Sequence, residues 1–559
     1  MEDAEPEFDY SDSPPELDGK SLYTIIRKND LPQLHKYIAS FGADVILWKS
    51  SPHYNDPIFV AAQDATPETL RILLEWLAAA DLEPAEPFEK QRGFFLLHAA
   101  CSSANLDTVR FILDTHASDE NRLPFGTVDL HGIEPRTGCT PILEAASSLR
   151  YLTYEGSEKC IDPPDLHRWA DERIPRAEQL IHFLLDRGCL ATNILLGFLS
   201  GTEAEKQPLD SVLRLAVSRA GRGVIQRLID QGADIYLKHE HMFDVSEIAR
   251  FRDGGNPVLD STTLHIAGQY WNSDIVGLLL DYHRDNSDKG PDLASVQDSH
   301  GRLPLHYAAA GPGRNECNFR DEDLTIRIPE TIRLLVSAYP AGINIADNTG
   351  STPLHHAVAA HAVCCGSDHA EATIRCLFSH GADPKIPDSR GQTALHILGY
   401  NTLHNTPIST TILDLLVTHG IDINAATATG HTALHVFAQN LHQILTARFL
   451  VRHGADIRAT NVKGDTVFHC MARGIFNSWE RPDGAVEIPT HEDRIRAQDA
   501  TMKLLLEADG ADNVMSKRNL EGKTPQEVMQ ETRNKWLKME RGMKRIGGRG
   551  RGRGRGQPS

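Results

Sequence analysis

Twenty-seven histidines and nine cysteines hold most of the chemistry available to this chain of 559 residues, and their spacing decides what that chemistry is. Seven of the histidines, His98, His265, His306, His355, His396, His435 and His469, recur at one fixed place in a repeated local pattern, just ahead of small apolar residues. Packing of successive helices sets such residues about 10 Å apart, too far to share one coordination sphere. A polar residue recurring in one register instead bonds backbone groups of the adjoining turns and ties unit to unit. The one dense group is His361, Cys364, Cys365 and His369, two imidazoles and two thiols of the zinc-ligand type. Structural zinc sites usually place two to four residues between thiols, so the adjacent cysteines favour a packed loop over a metal.

Other chemistry finds no foothold. There is no GxSxG, no HExxH, no phosphate-cradling GxxxxGK[ST] and no dinucleotide fingerprint after a strand. Paired carboxylates such as Glu178 with Asp186, or Asp321 with Glu322 and Asp323, read as solvated faces or loops in a chain of net charge −19. No enzyme, cofactor, metal or small-molecule substrate is expected. The segment GGRGRGRGRG at 547–556 is different, because Arg549, Arg551, Arg553 and Arg555 alternate with glycine in a flexible polycation able to follow a phosphate backbone. It resembles the RG-rich tails of RNA-associated proteins, whose arginines are also methylated. A solubilising tail, or one neutralised by the acidic head of the chain, is the other reading.

The elements that must position these residues are themselves repeated. From Gly350, GSTPLHHAVAAHAV opens a small-residue helix, and ATIRCLFSHGAD closes a second helix at the stop signal Gly381. Versions of the opening appear as STTLHIA from Ser261, GRLPLHYAAA from Gly301, GQTALHI from Gly391, GHTALHV from Gly430 and GDTVFHC from Gly464. Weaker copies begin at Ser21, Asp56, Gly93, Gly138 and Leu209, and a half copy with polar residues, GKTPQEVMQ, ends the series from Gly522. The threonine can cap the first helix through its hydroxyl, and Pro at the first helical position removes a donor that has no partner there. Two helices this poor in large apolar residues bury too little surface alone, so each unit needs its neighbours.

These units resemble ankyrin repeats, whose TPLH signature and roughly 33-residue period they share. The resemblance implies an all-α repeat solenoid of helix-turn-helix units with hairpin-like loops, over residues 20–540 in about eleven or twelve copies. Insertions interrupt it near 151–176, 235–260, 312–328 and 474–497. Residues 1–19 hold eight acids and no base, residues 541–559 form the RG-rich basic tail, and both are expected to be disordered. Scattered cysteines, an acidic N-terminus unlike a secretory signal and no apolar run of about 18 residues point to a cytoplasmic or nuclear protein.

The resemblance also implies a function, a scaffold that binds a partner protein on the concave face of the array. In this family the variable positions are loop tips and the end of the first helix. The tips here are Ser299, His300, Arg302, Asn348, Thr349, Ser351, Ser389, Arg390, Gln392, Thr429, His431 and Lys463. The helix positions are Gln269, Tyr270, Tyr400, Asn401, Gln439 and Asn440. Exposed Tyr and Arg among them are the expected hot spots. An RNA-associated adaptor using Arg549, Arg551, Arg553 and Arg555 is the alternative.

Overall fold

A computed structural model describes residues 17, 20–41, 57–79, 92–117, 128–134, 137–149, 163–196, 208–241, 258–286, 288, 290–312, 321–363, 368–401, 408–480, 486–508 and 513–549. Cys364, Cys365, Arg551, Arg553 and Arg555 lie outside them, as does the acidic head except Leu17. The described chain is a procession of paired helices. The first half holds α1 (Leu22–Arg27) with α2 (Leu31–Ser40), α3 (Pro57–Asp64) with α4 (Pro67–Ala79), and α5 (Arg92–Ser102) with α6 (Leu106–Ala117). Then come α7 (Pro141–Ser147) with α8 (Pro163–Asp186), α9 (Val212–Ala216) with α10 (Arg222–Asp230), and α11 (Thr263–Gln269) with α12 (Ser273–Asp285). The second half holds α13 (Pro304–Ala310) with α14 (Asp321–Ala338), α15 (Pro353–Val363) with α16 (Asp368–Ser379), and α17 (Ala394–Asn401) with α18 (Thr410–Thr418). It closes with α19 (Ala433–Gln439) and α20 (Ile444–Arg452), α21 (Val467–Ala472) and α22 (His491–Leu506), and a lone final helix α23 (Pro525–Arg549). The fold is an all-α repeat solenoid.

Each first helix packs on the next first helix, and most second helices pack on the next second helix. Small residues permit the close approach: Ala308 and Ala309 in α13 and Ala357 in α15 are all buried. Leucines of the second helices, such as Leu278, Leu279, Leu413 and Leu416, complete the layer. One hydrophobic cluster therefore runs unbroken from Leu22 to Trp536. A solenoid has no other way to acquire a core, since each unit contacts only its neighbours.

The register histidines join the units with a repeated pair of bonds. The backbone N–H of Thr262 donates to His265 Nδ1 at 3.0 Å, and His265 Nε2 lies 3.1 Å from the Arg302 carbonyl one unit on. A backbone N–H can only donate, so Nδ1 is the acceptor and the ring proton sits on Nε2, aimed at the next unit. The same geometry links Leu303 to His306 and Ser351, Thr352 to His355 and Gln392, Thr393 to His396 and His431, and Thr466 to His469 and Lys523. The threonine hydroxyl, expected to cap the helix, is placed 2.9 Å from the same Nδ1 in Thr262, Thr352, Thr432 and Thr466.

In α9 the register position belongs to Arg214, three residues after the N-cap Ser211. Its guanidinium, with the side chain only 1 % exposed, bonds Asp210 Oδ1 at 3.0 Å and Ser261 Oγ at 3.2 Å. Ser261 directly precedes the next N-cap, so Arg214 bridges the same joint that histidine bridges elsewhere. Two flanking loops are lengthened into antiparallel hairpins at this point, β1 (Ile194–Leu196) with β2 (Pro208–Ser211) and β3 (His239–His241) with β4 (Val258–Ser261). The expected insertion at 235–260 is thus an extended loop of the array, pinned by pairing of His239 with Ser261.

In two other insertions, 151–176 and 312–328, the described residues are mostly helix. The second helices begin within these spans, at Pro163 and Asp321, with Pro175 and Pro329 inside them. Pro329 removes one donor, but Leu324, Ile328 and Ile332 keep a helical apolar spacing across it and are fully buried. The insertion at 474–497 holds the short hairpin β5 (Trp479–Glu480) with β6 (Val486–Glu487) and the first turns of α22. The final helix continues to Arg549, past the boundary expected at 540.

Burial pushes the imidazoles of His265 and His435 down to about 4 and that of His306 down to about 3, and lowers His396 and His469 as well. A lowered folded value means that the unfolded chain binds more protons below about pH 6.5, so the histidine contribution is complete above that pH and lost on acidification. Glu144, raised by burial to about 7, has the opposite sign and favours the fold at lower pH. The histidines outnumber it. Stability from urea unfolding should change little between pH 7.5 and about pH 6.5 and then fall toward pH 4.5, each buried histidine contributing up to about 1.4 kcal/mol per pH unit. At the Arg214 joint, Asp210→Ala should cost about 3–5 kcal/mol by stranding a buried cation, and adding Arg214→Met should recover most of the loss in thermal melts.

Candidate functional site: the row of loop tips

The loops between units are built on a side chain that the repeat signature does not include. Asp298 Oδ1 accepts from the backbone N–H of His300 and of Arg302, both at 2.8 Å. Asp347, Asp388, Asn461 and Asn519 hold their own loops in the same way, two and four residues on. Burial disfavours the charge of Asp347, but bonds from His356 and Thr349 more than offset it and hold its carboxyl well below the ordinary range. Tyr307 donates to Asp298 Oδ2 at 2.9 Å, so the first helix braces the loop above it.

Neighbouring loops then bond to each other. The N–H of the first tip residue donates to the carbonyl of the previous loop's second tip residue. The series runs Asn348 to His300, Ser389 to Thr349, Ala428 to Arg390, Val462 to Thr429 and Leu520 to Lys463, at 2.8–3.1 Å. Glycine is required behind each tip. Gly391 has φ +74°, and a Cβ there would stand 2.9 Å from the Ala428 nitrogen of the next loop. Some tip side chains add to this backbone frame: Ser299 Oγ accepts from the Leu259 N–H at 2.8 Å, Asn348 Nδ2 donates to the Ser299 carbonyl at 3.1 Å and Thr349 Oγ1 donates to Asp347 at 2.7 Å, while the side chains of Ser389, Arg390 and Lys463 remain exposed.

Ser299, Asn348, Ser389, Arg390, Tyr400, Thr429 and Lys463 are exposed, and His300, Thr349, Gln392, Asn401, His431 and Gln439 are half-buried. Five positions expected at the surface are buried, and their assignment is corrected. Tyr270, 2 % exposed, lies under the Arg219 guanidinium with 5.2 Å from cation to ring centre, and its neighbour Gln269 is also covered. Arg302 and Ser351 immediately precede an N-cap, where the adjoining loop closes over them. Asn440 is covered by the chain at Ile475, whose backbone bridges to it.

The structure gathers three of the expected residues, His431, Gln439 and Lys463, around a recess of about 190 Å³. Asn461, Asp465, Cys470, Arg473 and Glu521 complete its wall. Asp465 is held by Arg473 at 2.7 Å and by Asn519 at 2.7 Å, and burial pushes the Cys470 thiol up to about 12. A space this small suits one side chain of a partner, being below the roughly 300 Å³ at which small-molecule sites begin. These further residues were legible in one respect: an Asp or Asn stands three residues before Gly301, Gly350, Gly391, Gly464 and Gly522.

Among the described residues no group of three or more His, Cys, Asp or Glu is placed to hold a metal. His369 packs edge-on to Trp271 with ring centres 6.2 Å apart, and the side chain of His361 is not described. No described helix is long and apolar enough to cross a membrane.

Comparison with known families agrees with this geometry. Residues 327–427 match the family described as ankyrin repeats in three copies, and residues 429–462 match a further ankyrin repeat. Residues 327–462 thus hold ankyrin repeats. The curated proteins include none with significant sequence similarity to it. Among solved structures, the ankyrin repeat domain of Bcl-3, described as a unique member of the IkappaB protein family, is 23 % identical, with coverage of 46 % of this chain and 92 % of that one and a TM-score of 0.31. Ankyrin repeats generally mediate protein–protein interaction. Within this ankyrin array, burial separates structure from recognition. Tyr270→Ala should lower stability by about 3–5 kcal/mol, whereas Arg390→Ala should stay within about 0.5 kcal/mol of the parent in urea unfolding.

Proposed function

We propose that this protein is a scaffold or adaptor that holds partner proteins against the row of loop tips and the exposed ends of the first helices. The observation that carries the reading is the division of labour in the loops. Backbone, Asp298, Asp347, Asp388 and Asn461 hold the turns, with added bonds from the Ser299, Asn348 and Thr429 side chains, and Ser389, Arg390 and Lys463 present exposed side chains on their loops. A rigid surface of this kind binds without first ordering itself, which lowers the entropic cost of association. Tyr400 and Arg390 are the exposed members of the residue types that dominate binding energy. No enzymatic role is proposed, since the array occupies most of the chain.

A second reading is kept for the C-terminus. From Arg541 to Ser559 the sequence holds seven bases and no acid, and the backbone of α23 carries the first of them beyond the buried Trp536. Such a segment suits an RNA-associated adaptor, with Arg549, Arg551, Arg553 and Arg555 contacting phosphates. The two readings separate in one experiment. The full chain, an Arg390→Ala/Tyr400→Ala/Lys463→Ala variant and a chain lacking 541–559 are used to capture partners from lysate. Loss of the captured proteins should follow the triple variant, and loss of salt-sensitive RNA should follow the truncation. Unchanged protein capture by the triple variant removes the row of loop tips from the proposal.

A further inference from the structure

Resting on the reading of the tips as the partner face, we infer that the last loops form a rail for an extended protein segment in which acidic side chains accompany aliphatic ones. Along the hydrogen-bonded series the first tip position changes character, from Ser389 to Ala428, Val462 and Leu520. Val462 is 62 % exposed and Leu520 80 % exposed, on loops joined directly by the bond from Leu520 N–H to the Lys463 carbonyl. A single exposed aliphatic residue needs no explanation, but neighbouring ones in one register, with no structural task, make a contact surface.

The second tip position supplies the charge. Arg390 and Lys463 are exposed and have no ion-pair partner among the described residues. Asp388 is buried in its turn and Asp465 is already held by Arg473, so the exposed acid on these loops is Glu521. Glu521, on the last loop, has Lys523 at 3.9 Å. In a chain of net charge −19 this row is locally cationic, so the complementary occupant is acidic. The aliphatic tips favour a protein segment over a nucleic acid, which would leave Val462 and Leu520 without apolar contact.

The test selects phage-displayed random dodecapeptides on the full chain and measures soluble copies of the recovered peptides by fluorescence anisotropy. Recovered sequences should be rich in Asp and Glu interspersed with Leu, Ile and Val. Their affinity should fall by about tenfold or more in Val462→Ser/Leu520→Ser and in Arg390→Glu/Lys463→Glu, all solvent-exposed positions. Recovery of basic peptides, of peptides without aliphatic residues, or of none at all overturns the inference. Peptides that bind both double variants like the parent overturn it too. If those peptides are nevertheless lost on Tyr400→Ala, the partner face stands and only the rail fails; if they bind every variant alike, both fail.

Discussion

Because the N-cap amide donates into Nδ1 at His265, His306, His355, His396 and His469, these rings carry their proton on Nε2, and that proton meets the carbonyl just ahead of the next N-cap. The bond therefore does two things at once. It fixes the start of its own helix and sets the distance to the following unit. An imidazole is suited to this because it is a rigid ring with an acceptor on one edge and a donor on the other. The arrangement demands a neutral ring, and burial enforces neutrality, as the low values at His265 and His306 show. Everything above the joint, including the loop turns and their interloop bonds, takes its spacing from that contact.

Where the sequence abandons histidine, the joint is made differently. Leu143 takes the register position in α7, and Asn193 from the next unit instead bonds the Thr140 hydroxyl at 3.0 Å. Arg214 takes it in α9 and imports a fixed charge, which obliges Asp210 to be buried beside it. At the C-terminal end Glu527 fills the position, its carboxylate accepting from the Thr524 N–H at 2.7 Å. No further unit follows α23 in the described chain, and a residue that caps its own helix without reaching onward suits that place. The two lengthened hairpins flank the Arg214 joint. His239, at the place in its loop where the regular loops carry Asp, is fully buried and pushed down to about 3, by burial first and then by Arg214.

The repeat, its helix pairs and the role of the register histidines were legible because each rests on a local signal: TPLH, a small-residue run, a Gly stop. Other features depended on contacts that no local signal reports. Pro329 reads as a helix start, yet the buried Leu324 and Ile328 pull the helix past it. Tyr270 follows the small pair of α11 as an exposed residue would, but Arg219 of the preceding unit lies across it. The Asp or Asn that builds most of these loops stands three residues before its glycine but outside the familiar signature, and Thr427 takes its place before Gly430. Arg214 was harder, since only the count from the Ser211 N-cap reveals that an arginine holds the histidine place.

The same loops explain why such an array can change its recognition chemistry without losing its fold. In a hairpin stabilised by side-chain packing, a tip residue carries structural energy and cannot drift freely. Here most turns are held by an Asp or Asn carboxyl or amide oxygen, a positive-φ glycine and backbone bonds to neighbouring loops, and at Ser389, Val462 and Leu520 the bond to the preceding loop comes from the backbone N–H of the tip residue. The first tip position can therefore pass from Ser389 to Leu520 while donating the same hydrogen bond through its backbone. Selection on binding and selection on folding act on different atoms of the same residue. For that reason the polar and apolar ends of the row differ in chemistry while sharing one backbone geometry, and a partner surface is better sought in the side chains of that row than in the signature that builds it.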